Sequence, residues 1–319
     1  MGKNPKWFQG FRYWHETILS VLLIGLLVAA RLAEPAFLTV AVQTELSTHV
    51  WELALLALPM TAIIIAGGID LSVGAMMALS AVVFGLSYEA GLSPWVGALL
   101  ALLTGMAAGA INGVFVAWAR VHPLIVTLAT LAAYRGTAEG ISLARPISGF
   151  PESFAVLGRG HIMGIPIPGA FFVLAALLAT VVLARTPFGR SLYAIGNNEA
   201  ASHFSGIDVA RIKFWIYAMS GSAAGLAAVA FVARRNTAKA DIATGMELDV
   251  ITAVVLGGTS IYGGRGRIVG TLLGVLLIHE TREFVSWKWD KDELNLIVIG
   301  ALLIVSVLLN SLFAERETE

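Results

Sequence analysis

The stretch "IIIAGGIDLSVGAMM", residues 63–77, decides the fold. Apolar residues run into it and out of it, and between them stand a Gly-Gly pair, Asp70 and Ser72. A carboxylate in an apolar run is costly unless it is hydrogen-bonded or lies at a polar boundary. About 20 apolar residues cross a bilayer as a helix. The apolar region 50–88 is too long for one crossing and too short for two joined by an ordinary loop. It reads as a tight helical hairpin turning at "GGIDLS", which makes the chain polytopic. Val50 to Asp70 corresponds to about 30 Å of helix, one crossing, so Asp70 is expected near a membrane face. There Gly67 and Gly68 end one helix, Asp70 caps the next against the positive end of its dipole, and Ser72 completes a hairpin corner or gate. The competing reading makes Asp70 the carrier of an ion- or proton-coupled secondary transporter.

The rest of the 319-residue chain agrees with a lipid solvent. It is 57% hydrophobic and 13% charged, with a mean hydropathy of +0.81, where a soluble domain carries roughly 25% charged residues. Spans are expected near 17–33, 50–68, 71–88, 95–119, 122–142, 166–185, 213–233, 247–262, 267–285 and 294–312. The fold class is therefore all-α polytopic, one transmembrane domain over 1–319 with about ten helices. The eighth span is short and ends in "GGTSIYGGRGR", so a break is expected there. Ten spans put both termini on one side. Lys and Arg divide almost evenly between the two sides, so sidedness rests on the basic, aromatic segment 1–16, "MGKNPKWFQGFRYWHE", taken as cytoplasmic. No small-residue cleavage site follows it, so the first span reads as retained.

Several chemistries are excluded. There is no cysteine, and the net charge of zero argues against nucleic acid. No G-x-x-x-x-G-K-[ST] loop, H-E-x-x-H zinc site or G-x-S-x-G elbow is present. The six histidines are scattered and read as packed rings. No catalytic residue, metal site or bound cofactor is expected, and a transport component fits better than an enzyme.

Small residues four apart mark helix–helix seams, since backbones without bulky Cβ substituents approach closely. They occur at Gly97, Ala101, Gly105, Gly109 and Gly113, at Gly221 and Gly225, and at Gly266, Gly270 and Gly274. "VVLGGTSIYGG" (254–264) echoes "IIAGGIDLSVG" (64–74), pairing Gly257 and Gly258 with the first corner. Residues 186–212 form a polar loop in which Asn197 or Asn198 caps a short helix, Glu199 sits in its first turn and Gly206 stops it. Trp51, Glu52, Asn112, Thr127 and Arg135 lie in or near apolar spans and are candidates for a translocation path, although polar residues there more often serve helix packing. Arg234, Arg235, Asp290, Lys291 and Asp292 are candidate docking charges on the outer side.

"GNNEAASHFSGIDVARIK", "GGIDLSVGAMMALS", "MELDVITAVVLGGTSIYGGRGRIVGTLLG" and "NGVFVAWARVHPLIVTLATLAAYRG" together resemble the ribose-type permease family of bacterial ABC sugar importers. The resemblance covers roughly residues 40–312, in order. It implies a fold similar to type II ABC importer permeases, placement in the bacterial inner membrane, and several partners. These are a second permease (identical or paralogous), ABC ATPase subunits that use ATP and Mg, and a periplasmic sugar-binding protein. It makes 186–212 a cytoplasmic coupling loop, with Asn197, Asn198, Glu199, Ala200, Ala201, Ser205, Gly206 and Ile207 in the ATPase-coupling helix. "EAA" at 199–201 is similar to the loop signature of ABC importers, but four residues separate its second Ala from Gly206 and "SGIDVARIK" replaces the usual Ile-x-Leu-Pro. The implied cargo is a monosaccharide or sugar-like molecule: ribose, another pentose, a hexose, a deoxyhexose or autoinducer-2.

Overall fold

The computed structural model describes residues 14–162, 165–289, 294–295, 297–302 and 304. In order the helices are α1 (Trp14–Ala33), α2 (Val40–Leu46), α3 (Val50–Ile65), α4 (Val73–Glu89), α5 (Pro94–Ala117), α6 (Pro123–Ser142) and α7 (Glu152–Arg159). They continue with α8 (Ile167–Arg185), α9 (Pro187–Asn197), α10 (Glu199–Phe204), α11 (Val209–Arg235), α12 (Met246–Leu256) and α13 (Ile268–Trp289). Two-residue strands pair Ile147–Ser148 with Thr237–Ala238 and His161–Ile162 with Ile165–Pro166, both antiparallel.

Local chemistry sets these boundaries. Ser93, His122 and Thr186 each accept a backbone N–H of the following turn, and each precedes a proline. Proline suits the first helical position because its missing N–H has no partner there anyway. α3 and α4 are buried almost all round and form the centre, as helices apolar on every side must. α1 and α8 lie outside and expose Leu22, Ile24, Leu174 and Leu177. By length and apolarity α1, the α2–α3 run, α5, α8 and α11 each suffice to cross a membrane, and α4 is a shorter apolar helix.

The predicted seams pack as close backbone contacts. A Cβ at Gly221 would overlap the Gly105 carbonyl and stand 2.7 Å from the Gly109 nitrogen, so α5 and α11 touch backbone to backbone. Gly270 and Gly274 meet Gly257 and Ala253 in the same way, joining α13 to α12. Gly97 departs from the pattern and packs against Phe84 and Ser87 of α4.

Two span expectations need correction. The eighth span is an 11-residue helix ending at Leu256, because Gly257 and Gly258 turn the chain out of it. The third span starts at Val73, leaving 66–72 as a non-helical corner between α3 and α4. The tenth span, 294–312, is described only at 294–295, 297–302 and 304, all helical.

Candidate functional site: a buried corner above the loop end

α9 and α10 lie at one end of the bundle, the loop end, where α3, α5, α8 and α12 finish and α1, α6, α11 and α13 start. α3 and α12 stop there in the same way. The Gly67 N–H donates to the Ile64 carbonyl and the Gly68 N–H to Ile63, both at 2.9 Å. The Gly258 N–H donates to Val255 at 2.9 Å and the Thr259 N–H to Val254 at 3.2 Å. Gly67 (φ +80°) and Gly258 (φ +87°) hold the left-handed position that these caps require. The echo is thus structural, but in register Gly67 matches Gly258, one residue away from the Gly-Gly pairing. The corners also touch: the Gly264 N–H donates to Ile65 at 2.8 Å, and Gly196 of α9 lies against both.

Asp70 stands inside this corner. It is fully buried, and Ser220, which donates to its Oδ2 at 3.0 Å, lies about 10 Å along α11 from Lys213. The corner itself is partly open at the loop end, with Gly67 exposed and Gly68, Ile69 and Leu71 half-buried, while the Asp70 side chain is enclosed by protein. The capping expectation is corrected: Ser72 is the N-cap residue of α4, no side chain accepts from the first turn, and Asp70 acts on Ser72 instead. Asp70 Oδ1 accepts the Ser72 N–H at 2.9 Å and the Ser72 hydroxyl at 2.7 Å, immediately before α4 begins. Asn112 of α5 donates to Ser72 Oγ at 2.8 Å, and the Tyr134 hydroxyl of α6 donates to Asn112 Oδ1 at 3.3 Å and to the Ala108 carbonyl at 2.9 Å. Tyr217 of α11 donates to the Ile69 carbonyl at 3.3 Å. The carboxylate thus ties α4, α5, α6 and α11 together, and both its oxygens are engaged.

Among the other path candidates Thr127, Arg135 and Glu52 bond within the bundle, while the Trp51 indole nitrogen is buried without a hydrogen-bond partner. Thr127 donates to Pro123 one turn back at 3.0 Å. Arg135 donates to the carbonyls of Ala240 and Ile242, fixing the 236–245 loop at the far end. Trp51 lies 5.9 Å from the Phe172 ring. Glu52 makes an ion pair with Arg234 at 2.7 Å, with side chains 3% and 11% exposed. This corrects the docking assignment of Arg234: it is an internal partner linking α3 to α11, not a loop charge. Arg235 is exposed, while Asp290, Lys291 and Asp292 lie outside the described residues.

The short capped helix expected in the 186–212 loop forms. Asn198 accepts the Ala201 N–H at 2.8 Å, Glu199 opens α10, and Gly206 (φ +83°) closes it. Glu199, Ala200, Ala201, Ser205 and Gly206 are exposed and Ile207 is half-buried. Phe204 is 90% exposed, an apolar ring without cover. Glu199 pairs with Lys213 of α11 at 2.7 Å, so α10 is tied to α11 as well as to α9.

The sequence reading missed α9. Its signals were the Thr186-Pro187 start and the apolar face of Phe188, Leu192 and Ile195. Tyr193 on α9 donates to the Gly266 carbonyl at 2.9 Å, and burial pushes its hydroxyl pKa up, so it stays a neutral donor. Ser220, Tyr134 and Tyr217 were also missed, since nothing in a linear pattern pairs them with Asp70.

Comparison with known proteins gives the corner its context. The family described as branched-chain amino acid transport system / permease component matches residues 44–307. The ribose import permease protein RbsC of Bacillus subtilis (strain 168) is 39% identical over 290 residues, 90% of each chain. The autoinducer 2 import system permease protein LsrD of Photorhabdus temperata is 34% identical over 313 residues, 96% of this chain and 94% of that one. Its counterpart from Salmonella paratyphi B (strain ATCC BAA-1250 / SPB7) is 32% identical over 311 residues, with the same coverage. No solved structure matches. With most of its length matched, over a bundle of apolar helices, the chain belongs to this permease-component family and is a multi-pass membrane protein.

Proposed function

We propose that the chain is the permease subunit of an ABC importer for a monosaccharide or sugar-like molecule in a bacterial inner membrane, with both termini cytoplasmic. In this reading it forms the translocation path with a second permease, receives cargo from a periplasmic binding protein, and is driven by a separate ATPase subunit using ATP and Mg. The observation that carries the reading is α10: a capped, exposed helix at the loop end, presenting Phe204 and braced on α11. Its relatives, by their names, import ribose and autoinducer 2.

The bracing gives a route for force. A push on α10 reaches α11 through Glu199–Lys213 and reaches α9 through the Asn198 junction. α11 is in backbone contact with α5 and bonds Asp70 through Ser220, so its tilt is shared with α5 and with the start of α4. Nucleotide drives such a tilt only if each ATPase state binds the two permease conformations with different affinity.

The test is uptake into vesicles by the reconstituted importer, with Ala201→Asp as the variant. Ala201 is exposed, so the chain folds, and the added charge opposes docking. ATP-dependent uptake that is lost in this variant supports the reading. Wild-type uptake by Ala201→Asp, or uptake driven by a proton gradient without ATP, overturns it.

A further inference from the structure

The 236–245 loop enters from the far end, where α11 delivers it, and then descends. A Cβ at Gly85 of α4 would meet Ala238 at 3.0 Å, and one at Gly74 would overlap the Ala243 carbonyl and stand 2.9 Å from Glu247 Oε2. Gly85 and Gly74 lie about 16 Å apart along α4, the length that the chain from 238 to 243 spans when extended. The segment therefore runs down α4 through about half the thickness of a bilayer core. α12 starts at that depth, and its 11 residues cover only the remaining half. Along the descent Ala238, Ala240 and Ile242 are buried, Lys239 and Glu247 are half-buried, and Asp241 and Thr244 are exposed. Arg135 of α6 holds the Ala240 and Ile242 carbonyls and interacts electrostatically with Glu247, Glu139 and Asp241. Lys239 pairs with Asp241 at 3.3 Å, and Asp249, further along α12, is taken by Arg282 of α13.

Extended backbone and ionisable side chains persist at membrane depth only inside protein or against water. Glu139, Asp241 and Thr244 are exposed, so this surface faces water. We propose that residues 239–247, with Arg135 and Glu139 of α6, line the translocation path and bind an uncharged, polyhydroxyl cargo there by its hydroxyl groups. This rests on the reading of the chain as an importer permease. Glu139, Asp241 and Glu247 accept from hydroxyls, and Lys239 and Arg135 donate to them. Three carboxylates against two cations turn away an anion, and the interleaved cations deny a free cation an all-acidic shell. A second copy packed dry against this face would strand the same charges.

The absence of cysteine makes the test direct. Thr244→Cys, Asp241→Cys and, on the exposed apolar face of α8, Leu174→Cys are made singly in the importer reconstituted with its ATPase and binding protein. N-ethylmaleimide, which attacks a thiol only where water lets it ionise, is applied without nucleotide and with ATP and vanadate. Thr244→Cys and Asp241→Cys are expected to react about a hundredfold faster than Leu174→Cys in at least one of these states. Labelling as slow as that of Leu174→Cys in both states shows a surface covered by lipid or by the second permease, and overturns the proposal. The ligand is read by protection, with D-ribose, D-glucose, L-rhamnose and autoinducer 2 as probes. The probe that the wild type imports, delivered by the binding protein, is expected to slow Thr244→Cys labelling about tenfold relative to the empty binding protein. Fast labelling without protection makes the segment a wet wall with no cargo site, and protection by NaCl instead makes it a cation site; either result overturns the proposal. A wild type that imports none of the probes, or imports them without ATP, tells against the importer reading instead, whatever the labelling rates.

Discussion

Replacing Asp70 separates a structural carboxylate from a transporting one. In Asp70→Leu the branching is kept in a larger side chain, and three donated bonds are lost: the Ser72 N–H, the Ser72 hydroxyl and the Ser220 hydroxyl. All three donors are buried in the corner. A buried donor left unmet costs about 1–3 kcal/mol. The hydroxyls rotate toward other acceptors, so the amide carries the largest share and the sum is about 3–5 kcal/mol. In Asp70→Asn, Oδ1 still accepts both bonds from Ser72, and the Ser220 hydroxyl turns to accept from the new amide, at a cost of about 1 kcal/mol. Asp70→Ser keeps an acceptor near the Ser72 N–H and falls close to Asn. The assay is reversible unfolding of the purified variants in a fixed detergent, alongside uptake in reconstituted vesicles. A Leu variant no less stable than the Asn variant would refute the bonding argument. An Asn variant that folds normally but does not transport would show that the charge itself is used, and would return Asp70 to the gate or to proton carriage.

Two further perturbations test the packing. Gly221→Ala places a Cβ 2.7 Å from the Gly109 nitrogen and 2.8 Å from the Gly105 carbonyl carbon, so α5 and α11 separate and stability falls by about 3 kcal/mol. Gly136→Ala, with open space around its Cβ, is the matched control, and equal unfolding midpoints for the two would contradict the seam. Arg234→Met leaves the Glu52 carboxylate buried without its partner and costs about 3–5 kcal/mol, whereas the double variant Glu52→Leu/Arg234→Met costs less than the single one. If Arg234→Met leaves stability untouched and weakens only capture of the binding protein, Arg234 acts as a surface charge after all.

The sequence alone determined much that is local in origin. Apolar runs of crossing length give the helices, because in lipid every backbone polar group must be bonded within its own segment. Gly67, Gly206 and Gly258 mark helix ends, since the left-handed position in such caps favours a residue without Cβ. Asn198 announces α10 for an equally local reason: its side chain reaches an N–H three residues on. The glycine spacing even foretold that α5 and α11 are seam-forming helices.

What only the tertiary structure decided is which polar residues meet. Glu52 and Arg234 are far apart in the chain and were assigned to different roles, yet they neutralise each other where α3 begins and α11 ends. Counting residues along α3 put Asp70 at the end of a crossing but could not show that protein encloses its side chain. Ser220 and Asn112, which enclose it together with Ser72, come from helices that sequence distance does not connect to it. Periodicity fixes the face of a helix that is buried. The burial of a corner side chain and the partner of a buried charge depend on how helices are placed against each other, and that placement is set by packing over the whole bundle.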